Sequence, residues 1–377
     1  MSLFSGVEGL GLGLRAAMGG EMVGFVEEDP FCQLVLRRHY PGVPIWNDVR
    51  SVGRDELPDC DVLCGGFPCQ DISVAGLGAG IREGTRSGLF FEMWRIALEL
   101  EPRFVVFENV TAIRRRGLDV VAATIGEAGW ILEWRQLSAA SCGARHQRNR
   151  WFAVAHREGG LVMHRDCTRV GRLVDGVWRS LQAPLFGSGA PVDEMPANGY
   201  VRAGRLYRVE MGQPDPRHNL WPTPRSGKTH GDTVERFLGA RAEGVVSTPP
   251  LETAVRMMPT PNARDWRDTY SSKEALANRD SHQESLAVRA QNMEGRPGRL
   301  NPDWVDVLMG FPSGYTRPDG GAEHGMVCPS AWADGTWEEG IPRLTEEPGN
   351  RSKRLKALGN SVVPHQAYVI GRYLNGR

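Results

Sequence analysis

The pattern of apolar and polar positions divides this chain into two unlike parts. Over residues 2–157, short apolar runs alternate with segments of helical period. Ser2-Leu3-Phe4 reads as a strand, Ser5-Gly6-Val7-Glu8-Gly9 as a glycine-rich turn, and Leu10 to Ala17 as a helix. Met22-Val23-Gly24-Phe25-Val26 predicts a second strand that ends at Glu27-Glu28-Asp29, and Val43-Pro44-Ile45-Trp46 leads to Asp48. Asp61-Val62-Leu63-Cys64 predicts a short buried strand that runs into Gly65-Gly66-Phe67-Pro68-Cys69. A helical period covers Gly88 to Leu100 and stops at Pro102. Further strands are predicted over 103–107, 130–137 and 151–155, with a helix from Leu118 to Ala128. Strands alternating with helices predict an α/β fold built on a doubly wound, mostly parallel sheet.

Beyond residue 157 the alternation fades. The stretch to about 300 is rich in Gly, Pro, Arg and Trp, and short strands with long loops are expected there. Trp221-Pro222-Thr223-Pro224-Arg225 is echoed by Met258-Pro259-Thr260-Pro261-Asn262, too briefly for a repeat architecture. Asn301 to Pro312 predicts a compact helix, and 313–350 is Gly-, Pro- and acid-rich, as in a surface excursion. Arg354 to Pro364 leads into a C-terminal helix. The expected units are thus an α/β domain over 1–157, a smaller loop-rich domain over 158–312, the excursion 313–350 and a final segment 351–377.

Composition narrows the class. With 377 residues, 41% hydrophobic and 24% charged, the chain suits one large and one smaller globular domain. No apolar run approaches the roughly 20 residues that span a bilayer, and the first residues lack a signal peptide's basic and apolar regions. The 7 cysteines are scattered without paired spacing, which suits a reduced, cytoplasmic protein. Cys60, Cys64 and Cys69 lie close together, but no His/Cys pair completes a zinc pattern. A formal net charge of zero excludes a uniformly basic coat but not a local patch. Between Arg135 and Arg179, Arg145, Arg148, Arg150, Arg157, Arg165, Arg169 and Arg172 meet few acids. They read either as a solvated surface or as a cleft wall facing phosphate.

The candidate chemistry sits at predicted strand ends. A free cysteine is more often a small buried hydrophobe than a nucleophile. Cys69, however, follows two glycines and a proline on a rigid strand-to-loop turn, where a thiol is presented rather than packed away. The turn over Ser5–Gly9 opens a helix, as in nucleotide-like ligand sites, and Glu27 ends the second strand where an acid reaches ribose hydroxyls. Asp48 follows in order. Glu108-Asn109-Val110 ends the 103–107 strand on the same rim as Cys69. Arg148 and Arg150, two apart on an extended backbone, share one face. The Gly/Ser/Arg-rich loop from Gly76 to Ser87 is suited to closing over a ligand.

In this order the segments resemble the DNA (cytosine-5)-methyltransferases of bacterial and phage type. Phe4-Ser5-Gly6-Val7-Glu8-Gly9 is similar to the family's first cofactor motif, Gly66-Phe67-Pro68-Cys69-Gln70 to its nucleophile motif, and Arg86-Ser87-Gly88-Leu89-Phe90 to the next cofactor-side motif. Glu108-Asn109-Val110 matches the base-binding motif, and Arg148 with Arg150 its paired arginines. Leu308-Met309-Gly310-Phe311-Pro312 resembles the segment bracing the recognition domain, and Gly359-Asn360-Ser361-Val362 the last motif, which returns to the cofactor site. Three positions depart from the pattern: Glu8 where a Gly is usual, His146 for Gln and Arg145 for Pro.

The resemblance implies a Rossmann-like S-adenosylmethionine-binding catalytic domain and a target-recognition domain over 158–312. It implies Cys69, Glu108, Arg148 and Arg150 as catalytic residues. Cofactor contacts are implied for Phe4, Ser5, Gly6, Gly9, Glu27, Glu28, Asp48, Val49, Pro68, Leu89, Asn360, Ser361 and Val362, and DNA contacts for Gln70 and Ser73. Glu27 stands where the family binds ribose and Asp48 where it binds adenine. The implied partner is double-stranded DNA, with a monomeric enzyme in a bacterial or phage-infected cell, no membrane and no metal. A cognate endonuclease in a restriction-modification system stays open as a further partner. Two alternatives also stay open, a tRNA cytosine-5 methyltransferase and a catalytically silent, sequence-specific DNA-binding protein.

Overall fold

A computed structural model describes residues 1–68, 88–157, 167–181, 190–209, 258–265, 285–320, 324–346 and 349–376. Its first half alternates as the apolar pattern predicts. β1 (Ser2–Leu3) leads through the glycine turn to α1 (Gly9–Met18), then β2 (Phe25–Val26), α2 (Pro30–His39) and β3 (Ile45–Trp46). β4 (Val62–Gly65), α3 (Leu89–Leu100), β5 (Phe104–Val110), α4 (Ile113–Arg116), α5 (Leu118–Glu127), β6 (Ile131–Ser138) and β7 (Asn149–His156) follow. Local chemistry sets the helix ends. Asp29 caps α2 by accepting from Phe31 N at 2.8 Å, Pro30 occupies its first turn, and Arg37, Arg38 and His39 face the negative end of its dipole. α3 stops at Glu101, whose φ of 51° lies in the left-handed region, just before Pro102.

Strands β8 (Cys167–Val174), β9 (Val177–Ser180), β10 (Gly199–Arg202) and β11 (Arg205–Val209) come next. They do not form a separate sheet. Together with the earlier strands they make one 11-stranded sheet in the order β3-β2-β1-β4-β5-β7-β6-β10-β11-β8-β9. From β3 to β5 neighbours are parallel; from β5 to β9 every pair is antiparallel. The change of direction comes from the short 139–148 connection, which carries no crossover helix, so β6 and β7 pair antiparallel. β10 then pairs with β6, covering an edge that would otherwise be open. The expected boundary at 157 therefore falls between strands of a continuous sheet.

The two faces of the sheet bury different helices. Val105 and Phe107 of β5 join Phe90, Met93, Trp94, Val121 and Ile125 on the α3/α5 side. Val106 alternates to the other face, packing with Leu10 and Leu14 of α1 and Ile370 and Leu374 of the last helix. Glu108 has the same parity as Val106 and so points to that second face.

The remaining elements are α6 (Leu286–Glu294), β12 (Arg299–Leu300), α7 (Pro302–Leu308), α8 (Pro329–Asp334), β13 (Leu344–Thr345), α9 (Arg351–Asn360) and α10 (Pro364–Asn375). Trp304, Leu308, Phe311, Tyr315, Trp332, Trp337 and Leu355 form a core shared with Val7, Leu12, Phe31 and Val35 of the first domain. The stretch read as a surface excursion thus buries Tyr315, Trp332, Trp337 and Leu344, and β13 pairs with β12. Its large aromatic residues outweigh its Gly, Pro and acid content. Arg354 ties this lobe internally, with Nη2 2.6 Å from both Asp303 Oδ1 and Asp306 Oδ2.

Candidate active site

The site is assembled from β5, β7 and the turn after β4. β4 ends at Gly65, and Gly66-Phe67-Pro68 carries the chain over the carboxyl rim toward Cys69. Gly66 sits against the Glu108 carboxylate. A Cβ there would stand 2.7 Å from Glu108 Oε2. Asn109 Nδ2 donates to Phe67 O at 3.0 Å, and the buried Phe67 ring packs against Phe90 and Phe107. The approach to Cys69 is thereby clamped beside Glu108. Cys69 itself, with Gln70, Ser73 and the 76–87 loop, lies outside the described residues.

Glu108 is buried, and its Oε1 lies 2.9 Å from Arg150 Nε. Burial pushes its pKa up, while Arg150 and Arg148 pull it down, leaving a net rise. Arg150 lies opposite Val110 on β5, so its guanidinium reaches back along the strand to meet Glu108. The site thus sets a carboxyl group whose pKa is raised by burial beside a guanidinium.

Arg148 is not on the same face as Arg150, contrary to the expectation from their spacing. Its φ is 30°, outside the extended region, and it precedes the first residue of β7. Its buried side chain is held by backbone carbonyls. Nη1 donates to Pro261 O at 2.9 Å, and Nη2 donates to Gly359 O at 2.9 Å and to Ser361 O. Its backbone N–H donates to Thr260 Oγ1 at 3.3 Å, and its carbonyl accepts from Gln366 Nε2 at 3.0 Å. Carbonyls from distant segments hold this arginine, so no strand periodicity governs it. Neighbouring His146 is fully buried against Leu308 O at 3.2 Å, and burial together with Arg148 pushes its pKa down to about 3.

The glycine turn sits at the end of β1. Gly6 has a φ of 55° and open space where a side chain would stand. Its N–H donates to Glu27 Oε2 at 2.6 Å, and Asp29 N donates to Glu27 Oε1 at 2.8 Å. Phe4 also lies in the left-handed region, and Ser5 Oγ donates to Ser2 O at 3.0 Å. Glu28 is exposed, Val49 is buried, and Asp48 is half exposed with Oδ1 accepting from Arg50 N at 3.0 Å. Pro68 and Leu89 are half-buried. The last motif reaches the turn directly. A Cβ on Gly9 would stand 2.2 Å from Val362 O and 2.7 Å from Ser361 Oγ, so only glycine allows this approach. Asn360 ends α9 and is exposed.

Glu8 fills the position where glycine was expected, with a φ of 67°. It is fully buried and accepts from Ser2 Oγ at 2.8 Å. Burial raises its pKa to about 7. Sequence reasoning missed Gln366, whose Nε2 bridges Leu137 O and Arg148 O, and also Thr260 and Pro261. The Pro-Thr-Pro echo was the available signal for the latter pair; Gln366 had none.

The arginines between 135 and 179 do not form one wall. Arg148 and Arg150 join the site, Arg157 pairs with Glu101 over the Trp130 ring, and Arg169 and Arg172 lie out on β8.

The family model for C-5 cytosine-specific DNA methylases matches residues 1–169. A type II methyltransferase, M.CviJI, of Paramecium bursaria Chlorella virus IL3A is 36% identical over 160 residues, 42% of this chain and 43% of that protein. Type II methyltransferase M.HhaI of Haemophilus parahaemolyticus is 34% identical over 161 residues, 42% of this chain and 48% of that one. The chain thus spans less than half the length of these relatives. The crystal structure of S. pombe Dnmt2 methyltransferase superposes with a TM-score of 0.52 at 12% identity, covering 100% of this chain and 98% of that one. That likeness concerns the fold.

Proposed function

We propose that this protein, whose residues 1–169 match the family model for C-5 cytosine-specific DNA methylases, methylates C5 of cytosine in duplex DNA, with S-adenosylmethionine as donor. The observation that carries the reading is the Glu108–Arg150 pair, set against the clamped turn that leads to Cys69. The residues around the glycine turn fit the donor. Each Glu27 oxygen accepts one backbone N–H, and a carboxylate oxygen accepts two bonds, so a site remains on each for a ribose hydroxyl. The space over Gly6 leaves room for the ligand, and half-exposed Asp48 would accept from an adenine amine. Bound there, the donor supplies an electrophilic methyl group.

The chain's own groups handle the base. Flipping the target out of the duplex costs a few kcal/mol, of order. The Cys69 thiolate then adds to C6, and the ring's electron pair moves toward C5. In its protonated form, which burial favours, Glu108 donates to N3, and its other oxygen accepts from the exocyclic amine. Arg150 donates to O2. C5 takes the methyl group, its proton leaves to water, and the S–C6 bond breaks to restore the ring. In this scheme Arg148 holds the site together rather than touching the base. Protecting a DNA site against a cognate endonuclease is the role that the type II names of the relatives suggest.

Duplexes carrying 5-fluorocytosine test the proposal, because fluorine cannot leave as the C5 proton does. The wild-type protein with donor is expected to become covalently linked in its preferred sequence context. Cys69→Ala is expected to bind DNA but never link. No linkage in any context, or methyl transfer confined to tRNA, sinks the proposal.

A further inference from the structure

We propose that the face of β8–β11 on the α10 side of the sheet is a second contact surface for the DNA duplex, engaging phosphates well away from the target base. This rests on the duplex-DNA reading above. The register brings the face together. Arg202 lies opposite Arg205, Arg205 opposite Arg172, and Arg172 opposite Arg179, one row across four neighbouring strands. In the next row Tyr200 lies opposite Tyr207, with rings stacked at 4.5 Å and 6° apart, and Tyr207 lies opposite Arg169. The irregularity between Leu206 and Tyr207 is what returns Arg169 to this face.

Directly opposed side chains point the same way. The reverse face carries Val201, Leu206 and Trp178, which are buried in the core with α5. Arg169, Arg172 and Arg205 are exposed, and β8–β11 contain no Asp or Glu. Strands lie about 4.8 Å apart, so the arginine row is about 14 Å long. Arginine forks match phosphate oxygens, and a duplex backbone is a continuous line of them. Stacked tyrosines beside the row give it a rigid floor.

The face is distinct from the catalytic rim. Arg150 is level with Leu137 on β6, whereas Val201 pairs with Leu132 and places Arg202 level with Ile131. At about 3.3 Å per residue, that offset is roughly 20 Å along the strands, before the sideways step to β8 and β9.

The test uses the full chain with two duplexes carrying the same target site, one of about 10 base pairs and one of about 40. The shorter extends only about 17 Å to either side of its centre. Wild-type protein is expected to show a steeper dependence of affinity on salt with the longer duplex. In Arg169→Ala/Arg172→Ala/Arg205→Ala the slope on the longer duplex is expected to fall by about 3, at about 0.9 per phosphate contact, and affinity at low salt by roughly tenfold or more. Binding to and methylation of the short duplex should be unchanged. Unchanged affinity and slope on the longer duplex overturns the proposal. Should the triple variant fail to fold, equal wild-type slopes on the two lengths overturn it as well. Loss of polyglutamate binding in the variant, with the duplex slope unchanged, assigns the face to an acidic protein and also overturns it. A persistent slope difference with no methyl transfer on either duplex sinks the catalytic reading and leaves this one standing.

Discussion

Arg150 Nε meets Glu108 Oε1 at 2.9 Å although its direct partner across the β5–β7 ladder is Val110. The guanidinium leans two residue pairs along the ladder to reach the carboxylate, and both groups stay near the sheet's rim. Methyl transfer by Glu108→Gln is expected to be slower by roughly 100-fold or more, as for a lost acid–base group. In the proposed scheme Glu108 works in its protonated form, so wild-type activity should fall as pH rises through its raised pKa. Single-turnover rates against pH check both points. A glutamine variant that keeps this alkaline decline removes Glu108 from the role.

Gly66→Ala tests the crowding at the turn. Its Cβ would stand 2.7 Å from Glu108 Oε2, so the carboxylate or the turn must move. The expected result is a fall in kcat of tenfold or more, on the order of 1.4 kcal/mol, with little change in thermal stability. Normal kcat would mean that the contact does not position Glu108.

Arg148 ties three segments through carbonyl oxygens at Pro261, Gly359 and Ser361. Removing it leaves those acceptors buried without their cation. Arg148→Ala is expected to cost about 3 kcal/mol or more in urea unfolding. Lysine should rescue poorly, because one ammonium cannot reproduce the fork. Because Ser361 lies against Gly9, the KM for the methyl donor should rise more than kcat falls. An effect on kcat alone would return Arg148 to the chemistry.

Glu8 gives the fold a pH dependence of known sign. Its pKa rises from an ordinary 4.5 to about 7 on folding, with burial as the main cause and the amino terminus and Ser2 opposing it. The folded state favours the protonated form. Its contribution to stability is full below about pH 4.5 and is lost as pH rises through about 7, by about 3 kcal/mol. Glu8→Gln should flatten that limb of the stability curve and stabilise the protein at pH 8. Denaturant melts across this range check it; an unchanged slope between pH 4.5 and 7 would remove Glu8 as its source.

The sequence alone determined what depends on neighbours a few residues away. The strand–helix alternation to residue 157, the stop at Pro102, the cap at Asp29 and the turn after β4 all follow from period, proline, glycine and short polar side chains. So does the placing of Glu27 and Glu108 at strand ends on the rim. Only the tertiary structure decided where chain ends and loops return. Arg148 could not be separated from Arg150 by spacing, because the carbonyls that hold it belong to residues 261, 359 and 361. The antiparallel extension of the sheet depends on β10 finding the edge of β6, and the burial of Trp332 on packing beside α7. Periodicity reports which side of an element is apolar; it does not report which distant element covers it, because that choice is made by long-range packing and by buried polar groups seeking partners.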